Sequence, residues 1–557
     1  MPRRTVSLIL FAGLLAFGAC SKSPSAPQAA VDSITVDRIT QHIRTLSSDE
    51  FEGRAPGGKG ETLTVNYLVE QFRAAGLEPG NPDGTYIQKV PLVGITPDPN
   101  MTLAITGRGP TARLKNGTDF VAVTRRVTES VAVENAELVF AGYGVQAPEF
   151  NWDDFKDLDV KGKVIVVLVN DPPLEDASQF GGKTMTYYGR WSYKYEKAGE
   201  MGAAGCLIIH ETGPAGYGWA VVEAGWTGEQ FDLVTPDKNM GRAAVEGWLS
   251  TEQAEVLLRR AGHSYDSLKK AALSRDFRPI SLGIRASVTV KNTLRTIDSQ
   301  NVVAKLTGSD DQLKNEYVLY TAHWDHLGVG KEVDGDGIYN GALDNASGTS
   351  ALLEIARGFK QLRTPPKRSL LFLAVTAEEQ GLLGSRYYAE QPLYPLARTA
   401  GVVNMDSVNT WGPTRDIVMV GKGSSTLDEI VEAVAAERNR TVKPDPEPEK
   451  GFFYRSDHFN FAKKGVPAFY PNRGIEFTGK PEGWGMEARA QYTAEDYHKP
   501  SDQIKDWWDL NGTVEDARLF LLIGYRIANA DHMPEWKPGT EFKAVREESL
   551  RQAGKSQ

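Results

Sequence analysis

His323 and Asp325 in YTAHWDHLG, Asp344 in NGALDNASG, and the adjacent Glu378 and Glu379 in LLFLAVTAEEQGLLGS are packed into one stretch of the chain. Each follows an apolar run or a Gly-rich turn, the places where a buried strand ends and delivers side chains into a cleft. Imidazole and carboxylate together are the ligands a hydrolytic metal ion such as zinc takes. His323 is assigned as a ligand through one ring nitrogen, with Asp325 orienting the other; His326 reads as a structural histidine. Asp344 is either a helix cap or, if its turn aims both oxygens into one cavity, a bridge between two metals. Adjacent residues leaving a strand face different ways, so one glutamate of the pair can bind metal while the other meets the attacking water. Asp406 at the end of AGVVNMD and His498 in YHKPSD are each weak signals alone, a surface cap and a loop anchor being the plain alternatives.

Other candidates carry less. DGDG around Asp334 and Asp336 reads as a surface turn rather than a calcium loop. Ser456, Asp457 and His458 are consecutive and cannot form a serine triad among themselves, and no GxSxG elbow occurs. Cys206 lies among Ala203, Ala204, Leu207 and Ile208 and reads as an inert core thiol. Glu52, Gly53 and Arg54 read as a turn with a solvated arginine.

Elements able to position these groups follow in order. Amphipathic spacing predicts helices over 33–46 and 61–75, then strands over 85–104. From about Val131 short β-rich runs separated by Gly and Pro turns predict a small β-rich insert, with a short helix in YEKAGEMGAAG. From Asn301, NVVAKLTG, YVLYTAHWDH, RSLLFLAVTAEE, AGVVNMDS and DIVMVG are uniformly apolar, as central strands covered on both faces are. They alternate with helical stretches at 347–362, 384–390 and 426–438, and a core helix closes the domain from Gly512. The fold class is α/β, a three-layer sandwich with a mixed, largely parallel sheet.

HWDH, GALDNASG, TAEEQGLLGS, NMDS, RSDHFNFAKKGVPA and YHKPSD, in this order, resemble the co-catalytic di-zinc aminopeptidases of clan MH, which include glutamate carboxypeptidase and the non-catalytic transferrin receptor ectodomain. The match runs from Asn301 to Asp502. AGYGVQAPEFNWDDFKDLDVKGKVIVVL followed by KAGEMGAAGCLII resembles the protease-associated domain inserted in exported peptidases. The resemblance implies two zinc ions, one on His323, Asp344 and Asp406 and one on Asp344, Glu379 and His498, with Glu378 as general base, Asp325 as partner of His323, and a cis bond after Asp344. It implies peptide substrates and aminopeptidase action, the alternatives being a carboxypeptidase, a glutaminyl-cyclase-like transferase or a receptor-like binding protein. Leu343 stands where the family's GADDN has a carboxylate. Tyr454, just before the SDH segment, is the nearest candidate for an oxyanion-stabilising tyrosine.

The 557 residues are too many for one core. Hydrophobic residues at 41% and charged residues at 24% are those of a globular protein, which excludes overall disorder. A formal charge of −9 argues against a nucleic-acid surface. The leader MPRRTVSLILFAGLLAFGAC is basic, then apolar over a length too short to span a bilayer, and ends in a lipobox-like FGAC. Export follows, to the periplasm or the outer membrane as a lipoprotein on Cys20, or by secretion after plain cleavage. The expected organisation is a leader over 1–20 and a flexible tether over 21–32, then a peptidase domain in two segments, 33–129 and 286–533. Between those segments lies the protease-associated insert, 130–285, and a polar, loose tail, 534–557, ends the chain.

Overall fold

The computed structural model describes residues 26–176, 179–182 and 184–555. Its centre is a mixed sheet in which Ser369–Val375, Tyr317–His323, Thr399–Asn404 and Ala468–Asn472 lie side by side and parallel. On one flank Ile280–Leu306 and then Ile87–Pro97 extend it, each antiparallel to its neighbour; on the other Asp416–Val420 pairs antiparallel with Ala468–Asn472, and Thr441–Pro444 pairs parallel with Asp416–Val420. Every residue of Tyr317–His323, Ser369–Val375 and Thr399–Asn404 is buried, as strands covered on both faces must be.

Helices Val36–Leu46, Ser347–Phe359 and Asn511–Asn529 pack together on one face of this sheet and share one core with it. Ser347–Phe359 is enclosed along nearly its whole length. The Tyr320 ring reaches across to Asn511–Asn529, its hydroxyl donating to Phe520 O at 3.0 Å. Gly524 makes that approach possible, because a Cβ there would meet the hydroxyl at 1.7 Å.

A second, smaller sheet is formed by Thr102–Thr106, Ala112–Lys115, Phe120–Val123, Ser130–Phe140, Val164–Leu168, Gly205–Ile209, Val245–Leu249 and the first half of Ile280–Leu306. It has its own apolar clusters, one of which encloses Cys206. Burial pushes that thiol's pKa up, so it stays protonated. The insert therefore begins just after Pro97 and ends near Lys291, not at the expected 130 and 285. The short strands after Thr102 have the same alternation whichever sheet they join, and Ile280–Leu306 passes through both sheets without a break. Gln230–Leu233, from inside the insert, returns to pair with Ile87–Pro97 of the main sheet.

Both chain ends depart from expectation. Residues 26–32 of the supposed tether form the helix Ala26–Asp32, with Ala30 and Val31 fully buried in the main core. The leader and Cys20 lie outside the described residues. The tail is docked, not loose: Trp536 and Phe542 pack with Phe459 and Ala462, the Trp536 indole donates to Gly465 O at 2.8 Å, and Lys543–Lys555 is helical. Two buried aromatics in a polar segment suffice to anchor it. No described helix is long and apolar enough to cross a membrane.

One buried carboxylate joins the first long helix to Ser347–Phe359. Glu354, on Ser347–Phe359, accepts from Arg38 at 2.9 Å, faces His42 at 3.3 Å, and is held by Arg357 at 2.7 Å. Burial opposes its ionisation, but these donors prevail and lower its pKa from 4.5 to about 2. A depressed carboxylate contributes stability that is complete above its unfolded pKa and fades as pH falls through the folded one. Glu354→Gln should therefore cost roughly 3 kcal/mol near neutrality. The difference from wild type should shrink between about pH 4.5 and pH 2, read from denaturant midpoints of both proteins across that window.

Candidate metal centre

The carboxyl ends of the parallel strands carry the site. His323 is the last residue of Tyr317–His323, and its Nε2 lies 3.3 Å from both Asp344 Oδ1 and Asp406 Oδ1. Asp344 presents its other oxygen to His498 Nε2 at 3.5 Å, and that nitrogen lies 3.0 Å from Glu379 Oε2. Asp344 thus stands between two imidazoles, one oxygen to each.

The backbone is unusual at Asp344 and His498 and beside Glu378 and Asp406. The Asp344–Asn345 peptide is cis, and Ala377, Ser407 and His498 have φ of 51°, 58° and 57°. Left-handed non-glycine residues beside Glu378 and Asp406, and at His498 itself, are conformations only a surrounding structure can impose.

Asp325 is fully buried, and its oxygens accept the N–H groups of Glu378 at 3.0 Å and Glu379 at 3.3 Å. Toward His323 it offers its carbonyl at 3.2 Å and its carboxylate at 3.8 Å from Nδ1. It holds the glutamate turn as much as the imidazole. Burial raises the Glu378 pKa well above the carboxylate range, His323 opposing and Asp406 and Glu379 adding to the rise. Around His323 burial is outweighed by Glu378, Asp344 and Asp406, which raise its pKa well above the imidazole range. His498 is likewise raised, to about 10: burial opposes, and Glu379 and Asp344 prevail.

Several residues acquire roles that their sequence context did not signal. His326, expected to be merely structural, places Nδ1 2.6 Å from Glu379 Oε1. Asn345 is fully buried; its amide donates to Met405 O and its oxygen accepts from Gly348 N and Ser407 N, tying the Asp344 turn to the Asp406 loop. Asp502 of YHKPSD accepts from Leu343 N and Asp344 N. Arg54 is not solvated at all: it is 1% exposed and donates to four backbone carbonyls. A long-range hydrogen bond from a turn leaves no periodic trace in sequence.

Other candidates resolve against the geometry. Ser456 Oγ donates to Asp406 at 2.7 Å, while the His458 ring is buried between Phe453 and Tyr470, so no serine triad forms. Tyr454 does not join the cluster: its hydroxyl donates to Glu541 at 3.1 Å and its ring packs edge-on against Phe459. The phenol that does lie against a cluster residue is Tyr497, stacked on the His498 ring at 3.8 Å. Leu343, where the family has a carboxylate, packs with Trp411, Phe477 and Tyr492. The turn at Asp334 is a plain hairpin loop, with Asp336 accepting from Ile338 N.

Two donor sets are thus assembled. Ligand atoms of His323, Asp344 and Asp406 lie within 4.8 Å of one another, as do those of His326, Asp344 and Glu379. His498 Nε2 approaches the second set, 3.0 Å from Glu379 Oε2, in a geometry that makes no hydrogen bond. Mixed imidazole and carboxylate donors with an orphaned ring nitrogen fit a zinc-type ion.

Residues 301–521 match the family model described as Peptidase family M28. This segment is similar to M28 peptidases. Across 510 residues, 89% of the chain and 85% of the relative, the protein is 23% identical to a probable leucine aminopeptidase 2 of Aspergillus oryzae. Over 112 residues it is 36% identical to a probable zinc metalloprotease of Pyrenophora teres f. teres, a match that spans 20% of this chain and 23% of that protein. The solved aminopeptidase from Aneurinibacillus sp. strain AM-1 shares the fold, with a TM-score of 0.53 at 20% identity over 91% of this chain and 97% of that one.

Within the matched segment, Ser456 donates to Asp406 and is placed as its support, not as a nucleophile. Ser456→Ala should weaken zinc binding by about tenfold, as loss of a ligand's hydrogen-bond partner does, and the wild type should resist a serine-directed phosphonate. Stoichiometric phosphonylation of Ser456, read by mass spectrometry, would contradict this placement.

Proposed function

We propose that the protein is a two-zinc exopeptidase of aminopeptidase type, removing N-terminal residues from peptides. The observation that carries this is Asp344, whose two oxygens face His323 at 3.3 Å and His498 at 3.5 Å, the arrangement a shared ligand between two ions requires. His323, Asp344 and Asp406 would hold one ion; Asp344, Glu379 and His498 the other. When bound, zinc supplies Lewis acidity toward the scissile carbonyl and makes water more acidic.

The chain's own residues do the rest. Glu378 takes the proton of the attacking water and passes it to the leaving amine. Asp325 fixes the direction of Glu378 through the Glu378 and Glu379 N–H groups. His326 restrains Glu379, and Ser456 restrains Asp406.

The insert acts as a roof of protease-associated type. Met185 N donates to Pro448 O at 3.1 Å, and Tyr187 packs on Phe459 at 5.0 Å beneath the Lys463 ammonium. A cleft edged in this way suits the free end of a peptide better than a folded chain. The leader ending at Cys20 supports export, with a lipid on that cysteine as the attachment to a membrane. The excess of acidic over basic residues supports peptides, not nucleic acid, as partners.

Glu378→Gln should lower kcat by about 10²–10⁴, while zinc content after dialysis stays near two per chain. Aminoacyl reporters should be cleaved by the wild type, and carboxyl-terminal reporters should not. A fully active Glu378→Gln enzyme, or a wild type that holds no zinc, would refute the assignment.

A further inference from the structure

Arg54 belongs to EFEGR, the turn after the first long helix and far upstream of every ligand. Its guanidinium reaches three separate places. Nε donates to Trp324 O at 2.8 Å, Nη1 to Leu46 O at 2.5 Å and to Asn340 O at 2.6 Å, and Nη2 to Gly341 O at 2.9 Å. Trp324 sits between His323 and Asp325. Gly341 opens the turn that presents Asp344. One planar fork therefore spans the loop of one ligand, the turn of another and the end of helix Val36–Leu46.

Two further observations mark this as more than packing. The turn is built to insert the side chain: Glu52, Gly53 and Arg54 have φ of 46°, 62° and 55°, and a Cβ on Gly53 would meet Tyr339 O at 2.4 Å and Gly328 O at 2.6 Å. Three successive left-handed residues pressed against a carbonyl pair are a costly way to place an ordinary surface arginine. Second, the cation is buried among described residues with no carboxylate at ion-pair distance. Burial lowers its pKa to about 10, opposed by the fields of Asp325, Asp502, Asp344 and Glu379. A buried guanidinium satisfied only by carbonyls is expensive unless its charge is wanted nearby, and the groups that feel it belong to the metal centre.

We propose that Arg54 is a positioning residue for the metal centre, setting the separation of His323 from Asp344 by clamping the carbonyls of Trp324, Asn340 and Gly341 on one guanidinium. It touches neither metal nor substrate. The proposal rests on the reading of that centre as a zinc site. Its effect lies in the affinity and symmetry of the centre: five donors in a fixed fork hold two loops at a defined spacing, which an ammonium on a flexible stem cannot do.

The test uses Arg54→Lys, Arg54→Met and Gly53→Ala in the full chain, each first checked by circular dichroism and thermal melting. Zinc affinity is measured by competition with a chelating indicator, and the geometry of the centre by the visible absorption of the cobalt-loaded protein. Arg54→Lys keeps the charge and should still bind zinc about 10- to 100-fold more weakly, with a shifted cobalt band. Gly53→Ala, which keeps the arginine but displaces the turn that carries it, should show the same loss and decides the matter should Arg54→Met fail to fold. Folded Arg54→Lys or Gly53→Ala with wild-type zinc affinity and an unchanged cobalt spectrum would overturn the proposal. A wild type that binds no zinc would instead refute the functional reading on which it rests.

Discussion

Everything at the catalytic end of this molecule depends on keeping acidic side chains together in a place that water hardly reaches. Asp325, Asp344, Asp457 and Asp502 are at most 5% exposed, and Glu378, Glu379 and Asp406 adjoin them. Burying one carboxylate without partners costs several kcal/mol. The fold meets that demand locally. Backbone N–H groups of the glutamate turn point at Asp325, and those of Leu343 and Asp344 at Asp502. Ser456 donates to Asp406, while the imidazoles of His323, His326 and His498 face the remaining oxygens. Asp457 is the least well served: burial pushes its pKa up to about 7, with only His323 and Ser385 opposing the rise. A fold that gathers this much negative charge in one place is shaped for multivalent cations.

Parallel strands supply the direction but not the precision. Tyr317–His323, Ser369–Val375 and Thr399–Asn404 all end at the same rim, so their last residues converge by topology alone. Convergence to within hydrogen-bonding distance comes from cross-ties between the loops beyond the rim. Asn345 links the Asp344 turn to Met405 and Ser407, Thr349 reaches back to His323 O at 2.8 Å, and Arg54 links His323's neighbour to the Asp344 turn. Ser347–Phe359, enclosed by sheet and helices, is the rigid post to which that turn is fixed.

This division explains what could be read from sequence. His323, the Glu378–Glu379 pair and Asp406 were legible because each sits where an apolar run stops, and the run announces the strand; Asp344 in its Gly-rich turn and His498 in YHKPSD became legible only in that company. The α/β class followed from the same runs alternating with amphipathic stretches. His326, Asn345, Asp502 and Arg54 were not legible in their roles, since each acts through a partner or backbone group remote in sequence. An arginine in a Gly-rich turn looks the same whether it faces water or four carbonyls. The one hint was local: EGR followed by APGGKG packs glycine where a chain must come close to another backbone, and Gly53 indeed abuts Tyr339 O and Gly328 O. The insert boundary was misplaced for a related reason, because alternation identifies a strand without naming its sheet.

The insert is attached by paired strands and not by loops. It leaves the main domain through Ile87–Pro97 and returns through Ile280–Leu306, and these two strands are paired antiparallel from Asn292↔Pro97 to Val302↔Ile87. Gln230–Leu233 then adds a third strand on the outer side of Ile87–Pro97. A domain tethered by loops can swing about a few soft dihedrals, whereas one carried on a hydrogen-bonded ribbon must bend the ribbon to move. The contacts at the far side, Met185 on Pro448 and Tyr187 against Phe459 and Lys463, close the loop between the two bodies. The insert is thus joined to the main sheet by a paired ribbon and touches it again at Pro448, Phe459 and Lys463.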